Sequence, residues 1–88
     1  MLYEVDIIKL LSKRYKLKLA GYSEVKYWYL ANDNFIGCLE NDCNVYTLKL
    51  SRKDRFTDWN NCEFEATFYD NEELNNLLHE VDKYINIK

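Results

Sequence analysis

"VKYWYLANDNFIGCLENDCNVYTLKL", residues 25–50, holds three β-type runs separated by two breaks rich in Asn and Asp. Successive side chains on a strand point to opposite faces, so each run sorts its residues into two sets. Asp33-Asn34 and Asn41-Asp42 fit two-residue hairpin loops, since Asn and Asp tolerate positive φ. These loops set Leu30 opposite Gly37, Trp28 opposite Leu39, Phe35 opposite Leu48 and Gly37 opposite Tyr46. One face then collects Trp28, Leu30, Phe35, Leu39, Tyr46 and Leu48, the expected core face, with Gly37 leaving room for a ring. The reverse face collects Val25, Tyr27, Tyr29, Ala31, Ile36, Cys38, Val45 and Thr47, and is too apolar for an ordinary wetted surface. Two covers for it stay open at this point. One is a helix packed on each side of the sheet. The other is a protein partner or a second copy of the chain, joined through Tyr27 and Tyr29, because tyrosine offers wide contact area with a polar tip.

Outward from this stretch the period changes. From Tyr3 to Tyr15, Ile7, Ile8, Leu11 and Tyr15 share one helical face, with Asp6, Lys9, Lys13 and Lys16 opposite. At the other end Leu74, Leu77, Leu78, Val81 and Ile85 follow the i, i+3, i+4, i+7 rule. Asp70 with Glu73 three residues on makes a capping box, and Glu72 adds charge favourable to the positive helix end. "YKLKLAG" (15–21) alternates with Leu17 and Leu19 on one side, and Gly21 to Glu24 reads as a turn. "CEFEATFY" (62–69) supplies the last strand, and "SRKDRFTDWNN" (51–61) reads as a long connecting loop without period. The expectation is an α+β fold. An antiparallel sheet of four to five strands is flanked by an N-terminal and a C-terminal helix, all in one compact domain over residues 1–88.

Composition supports a folded, non-secreted chain. The hydrophobic fraction is 48% and the aromatic fraction 16%, more than disordered chains carry. No run approaches eighteen apolar residues, so no membrane partner is expected. The N-terminus reaches Asp6 before any apolar run develops, against a signal peptide. Cys38, Cys43 and Cys62 are odd in number and contain no C-x-x-C pair, which points to reduced thiols and a cytoplasmic location.

Signatures of catalysis are missing. His79 is the only histidine, Ser12, Ser23 and Ser51 lie in no G-x-S-x-G elbow, and two glycines cannot build a phosphate loop. No enzyme, metal or cofactor is expected. Charge says more. Residues 1–56 hold ten Lys/Arg against seven Asp/Glu (+3), and residues 57–88 two Lys against eight Asp/Glu (−6). In "CEFEATFYDNEE", Phe64, Ala66 and Phe68 point to the core while Glu63 and Glu65 point away, ~6.6 Å apart on one face. Asp70, Glu72 and Glu73 continue the negative surface. Such a row resembles the phosphate spacing of a nucleic-acid strand and suits a basic protein groove; its plain alternative is a charged edge strand that discourages aggregation. Candidate partner contacts are Glu63, Glu65, Asp70, Glu72 and Glu73 with Tyr27, Tyr29 and Trp59 of the long loop. The runner-up is direct nucleic-acid binding by Lys9, Lys13, Arg14, Lys16 and Lys18 near the first helix and Arg52, Lys53 and Arg55 in the long loop, with Tyr27 and Tyr29 as stacking platforms, although the net charge of −3 opposes it.

"DIIKLLSKRYKLKLAG" (Asp6 to Gly21) resembles the opening of small phage-encoded type II-A anti-CRISPR proteins, a short helix running into a strand that ends at glycine. "FYDNEELNNLLHEV" (Phe68 to Val81) adds a looser likeness, an acidic lead into a late helix. The resemblance implies a stoichiometric inhibitor that blocks the DNA-binding groove of a CRISPR effector nuclease in an infected bacterial host by presenting carboxylates. The tyrosine-rich central strand and the long basic loop depart from that pattern.

Overall fold

The computed structural model describes residues 2–22 and 27–86. Its elements run α1 (Glu4–Tyr15), β1 (Lys18–Tyr22), β2 (Tyr27–Ala31), β3 (Phe35–Asp42), β4 (Val45–Arg52), a 3₁₀ turn (Trp59–Asn61), β5 (Phe64–Phe68) and α2 (Asn71–Ile85). The five strands form one antiparallel sheet in chain order, β1-β2-β3-β4-β5. The expected α+β fold with a helix at each end is the observed one.

The first hairpin has the expected register, with Leu30 opposite Gly37 and Trp28 opposite Leu39. Its turn works without positive φ: the Asn32 side chain accepts from the backbone N–H groups of Asn34 (2.9 Å) and Phe35 (2.7 Å). The second hairpin turns two residues later than expected. Cys43 (φ 53°) and Asn44 (φ 67°) are the left-handed pair, so β3 and β4 continue through Asn41 and Asp42. Leu39 therefore faces Leu48, Gly37 faces Leu50 and Phe35 faces Arg52. A slip of two preserves face parity, so the predicted core face survives the error. The space beside Gly37 holds Leu50 and not an aromatic ring.

Two expectations at the first strand need correction. β1 extends through Gly21 to Tyr22, so Gly21 is not in a turn, and the predicted turn beyond it, with Val25, lies outside the described residues. Leu17 precedes the strand and is fully buried, whereas Leu19 is 48% exposed. β1 is an edge strand with a register shift between Leu19 and Gly21, which leaves Leu19 at the rim of the core.

Both helices pack on the same face of the sheet. Ile7 and Leu11 of α1 and Leu74, Leu77, Leu78 and Val81 of α2 share one buried cluster with Leu30, Leu39, Leu48, Leu50 and Phe68 of the strands. The helices are also tied to each other. Arg14 Nη2 donates to Asp82 Oδ2 at 2.6 Å, and the Tyr15 hydroxyl donates to Asp82 Oδ1 at 2.6 Å. Two amphipathic stripes that converge on one apolar sheet face leave no helix for the other. The helix-on-each-side arrangement is thereby excluded.

Candidate functional site: the helix-free face of the sheet

Pairing in the sheet builds this face as rows across the strands. Tyr29, Cys38, Lys49 and Glu65 form one row, and Tyr27, Glu40, Thr47 and Thr67 the next. Directly opposed residues share a face, so these eight side chains lie together. Lys49 Nζ sits 3.9 Å from Glu65 Oε1, and the Thr47 and Thr67 hydroxyls are 3.2 Å apart.

The connection after β4, read as a featureless loop, folds back over one end of this face. Asp58 caps its 3₁₀ turn by accepting from the Asn60 N–H at 2.8 Å. Phe56 packs on Trp59 with ring centroids 4.6 Å apart, and Trp59 meets Tyr29 at 5.9 Å and an interplanar angle of 31°. Ser51 (0% exposed) and Cys38 (3%) are sealed at that end, while Tyr27 and Val45 are partly open. Between flap and sheet lies a cavity of about 200 Å³. Tyr27, Tyr29 and Trp59 contribute its aromatic walls, Glu40, Lys49 and Asn60 its polar groups, and Cys38 part of its lining.

Among the partner contacts expected from sequence, Tyr27, Tyr29 and Trp59 are brought together and Glu65 joins them on the same face. The other acidic candidates part company. Glu63 lies before β5 and accepts three hydrogen bonds, from the Tyr84 hydroxyl (2.6 Å), the Arg52 N–H (2.9 Å) and Arg55 Nη1 (3.2 Å). The Tyr84 hydroxyl, with the Arg52 N–H second, holds the Glu63 carboxylate below its usual range. Glu63 thus locks β4, β5 and α2 together instead of continuing a row with Glu65. Asp70 accepts from the Glu73 N–H at 2.8 Å, so the expected N-cap forms. The Glu73 carboxylate reaches one residue further back than a capping box requires, to the Tyr69 N–H at 3.0 Å, so both carboxylates are engaged at the helix start. Glu72 is exposed in the first turn of α2.

Glu40 and Lys49 were missed. The first hairpin register places Glu40 beside Tyr27, and alternation from Cys38 points it to the tyrosine face, so that signal was present in the sequence. Trp59's contact with Tyr29 had no such signal, because the flap is fixed by tertiary packing.

Chemically the face offers aromatic surface and fixed charge. Burial pushes the Cys38 thiol up to about 11, which keeps it protonated and a poor nucleophile at neutral pH. Cys62 is raised as well, mainly by burial. All three cysteines are free thiols, and His79 is exposed on α2, in the other layer. No group of three His, Cys, Asp or Glu among the described residues has the arrangement of a metal site. No helix among the described residues is long and apolar enough to cross a membrane. No known protein family, curated protein or solved structure matches the chain.

Proposed function

We propose that this protein acts by binding: it is a stoichiometric inhibitor that docks on a basic, nucleic-acid-handling protein through the helix-free face of its sheet. The observation that carries this reading is the gathering of Tyr27, Tyr29 and Trp59 beside Glu40 and Glu65 on a face that neither helix covers. Aromatic anchors surrounded by charge of one prevailing sign are what a basic partner surface selects. Of the carboxylates expected to imitate a nucleic-acid strand, Glu65 lies on this face with side-chain exposure of 57%, while the exposed Glu72 belongs to α2 in the other layer. The resemblance of Asp6 to Gly21 to type II-A anti-CRISPR proteins narrows the proposed target to a CRISPR effector nuclease, in a bacterial cytoplasm.

The runner-up, direct nucleic-acid binding, has a geometric difficulty. The basic residues of α1 lie on one side of the sheet and the tyrosines on the other, so one strand cannot use both, and Arg14 is held by Asp82. A purified type II-A RNA-guided nuclease and its DNA substrate supply the test. Equimolar protein is expected to stop cleavage, with inhibition weakening as salt rises. Glu65→Lys combined with Glu40→Lys is expected to weaken inhibition at least about tenfold, while Lys9→Glu with Lys13→Glu leaves it intact. Unimpaired cleavage at large excess would exclude this target. Oligonucleotide binding that disappears in the Lys9/Lys13 variant would establish the runner-up, and a salt-insensitive dimer through the tyrosine face would replace both.

A further inference from the structure

We infer that the cavity between Trp59 and the sheet is a receptor for one arginine side chain of a partner protein. Size comes first. A cavity of about 200 Å³ is below the range of roughly 300–1,000 Å³ typical of cofactor or drug-sized ligands, and suits a single side chain. Shape comes next. Tyr29 and Trp59 pack on each other at 31° and 5.9 Å, and with Tyr27 they line the cavity with aromatic surface. A planar guanidinium stacks on such faces, Trp being the strongest of them.

Charge decides between a cation and a neutral group. Among the described residues, Glu40 and Lys49 line the cavity, Glu65 faces Lys49, and Asp58 lies beside Trp59 in the flap. Lys49 is matched by Glu65 at 3.9 Å. The half-buried Glu40 carboxylate takes part in no hydrogen bond or ion pair among the described residues. Among the described residues the balance is negative, so an incoming cation offsets it, and a guanidinium also satisfies a carboxylate through two parallel N–H···O bonds. Lysine meets the aromatic walls less well, being a compact and strongly hydrated charge with no plane to stack.

This inference names the anchor within the docking reading and rests on it for the source of the arginine, but its test needs no partner. N-acetyl-arginine methylamide is titrated into the protein, followed by the Trp59 indole N–H resonance. Trp28 is the internal control, since its indole N–H donates to Glu4 at 2.6 Å on the opposite side of the sheet. The arginine probe is expected to shift Trp59 saturably and leave Trp28 in place, while the neutral citrulline analogue has no effect. Glu40→Gln, nearly isosteric, is expected to weaken binding about tenfold or more, and Lys49→Met to tighten it several-fold. Citrulline acting like arginine, a lysine probe binding as tightly, an indifferent Glu40→Gln or a silent Trp59 would each overturn the inference. Those failures leave nuclease inhibition unaffected, so the two readings fall separately.

Discussion

A methyl group at Gly37 has nowhere to go. A Cβ there would lie 2.7 Å from Leu50 Cδ2 and 3.3 Å from the Lys49 carbonyl oxygen. Leu50 is fully buried and the carbonyl belongs to the β3–β4 ladder, so neither neighbour yields freely. Alanine has the better backbone entropy by about 0.5–1 kcal/mol, which is smaller than the roughly 1–3 kcal/mol that overpacking costs. Gly37→Ala is therefore expected to lower the urea midpoint at unchanged m-value. A variant as stable as its parent would mean that the Leu50 side chain moves aside without penalty. Cys43 is the other telling residue. Its φ of 53° suits Gly or Asn, and no rule of composition would have put cysteine there.

Among the elements, the joint between β4, β5 and α2 turns on Glu63 and Tyr84. The Tyr84 ring stacks on Phe64 with centroids 5.6 Å apart and meets Phe35 edge-on at 5.6 Å, while its hydroxyl reaches Glu63. Glu63 is depressed in the folded state from an unfolded value of about 4.3. Its contribution to stability is complete above that value and disappears as the pH falls through the folded value. Tyr84 is raised, by burial first and Glu63 second, so its contribution is present below about pH 10 and fades as pH climbs through its folded value. Asp82 is depressed by hydrogen bonds from Arg14 and Tyr15 and adds a second acid-sensitive tie. Glu63→Gln is accordingly expected to be less stable than the parent at pH 7, with the gap narrowing towards pH 3. Urea unfolding at both pH values measures this, and a pH-independent gap would refute the assignment.

For the whole molecule, one core holds both helices against one face of one sheet. Leu11 (1% exposed) and Leu78 (6%) come from different helices and enter the same cluster. Leu11→Ala and Leu78→Ala should each cost about 2–5 kcal/mol. Each should lower the single transition seen by far-UV circular dichroism and by tryptophan fluorescence alike. Transitions that separate in either variant would show that the helices are anchored independently. The same two-layer plan explains why the face bearing Tyr27 and Tyr29 is available at all: the apolar stripes of both helices are fully used on the other side.

The sequence by itself determined the elements, their order and the sorting of strand residues between two faces. Periodicity survives small errors: the β3–β4 turn was placed two residues early, yet Leu39 and Leu48 still share the core face because the side-chain period is two. The N-cap at Asp70 was equally readable, since a cap acts within four residues. Only the tertiary structure decided which face the helices cover, where residues 53–62 lie, and what each carboxylate does. Glu63 and Glu65 look alike in sequence, two residues apart on one strand pattern. One accepts from Tyr84, twenty-one residues away, and the other faces Lys49 across the sheet. Those partners are brought near by packing over long sequence distances, and local propensity carries no information about them.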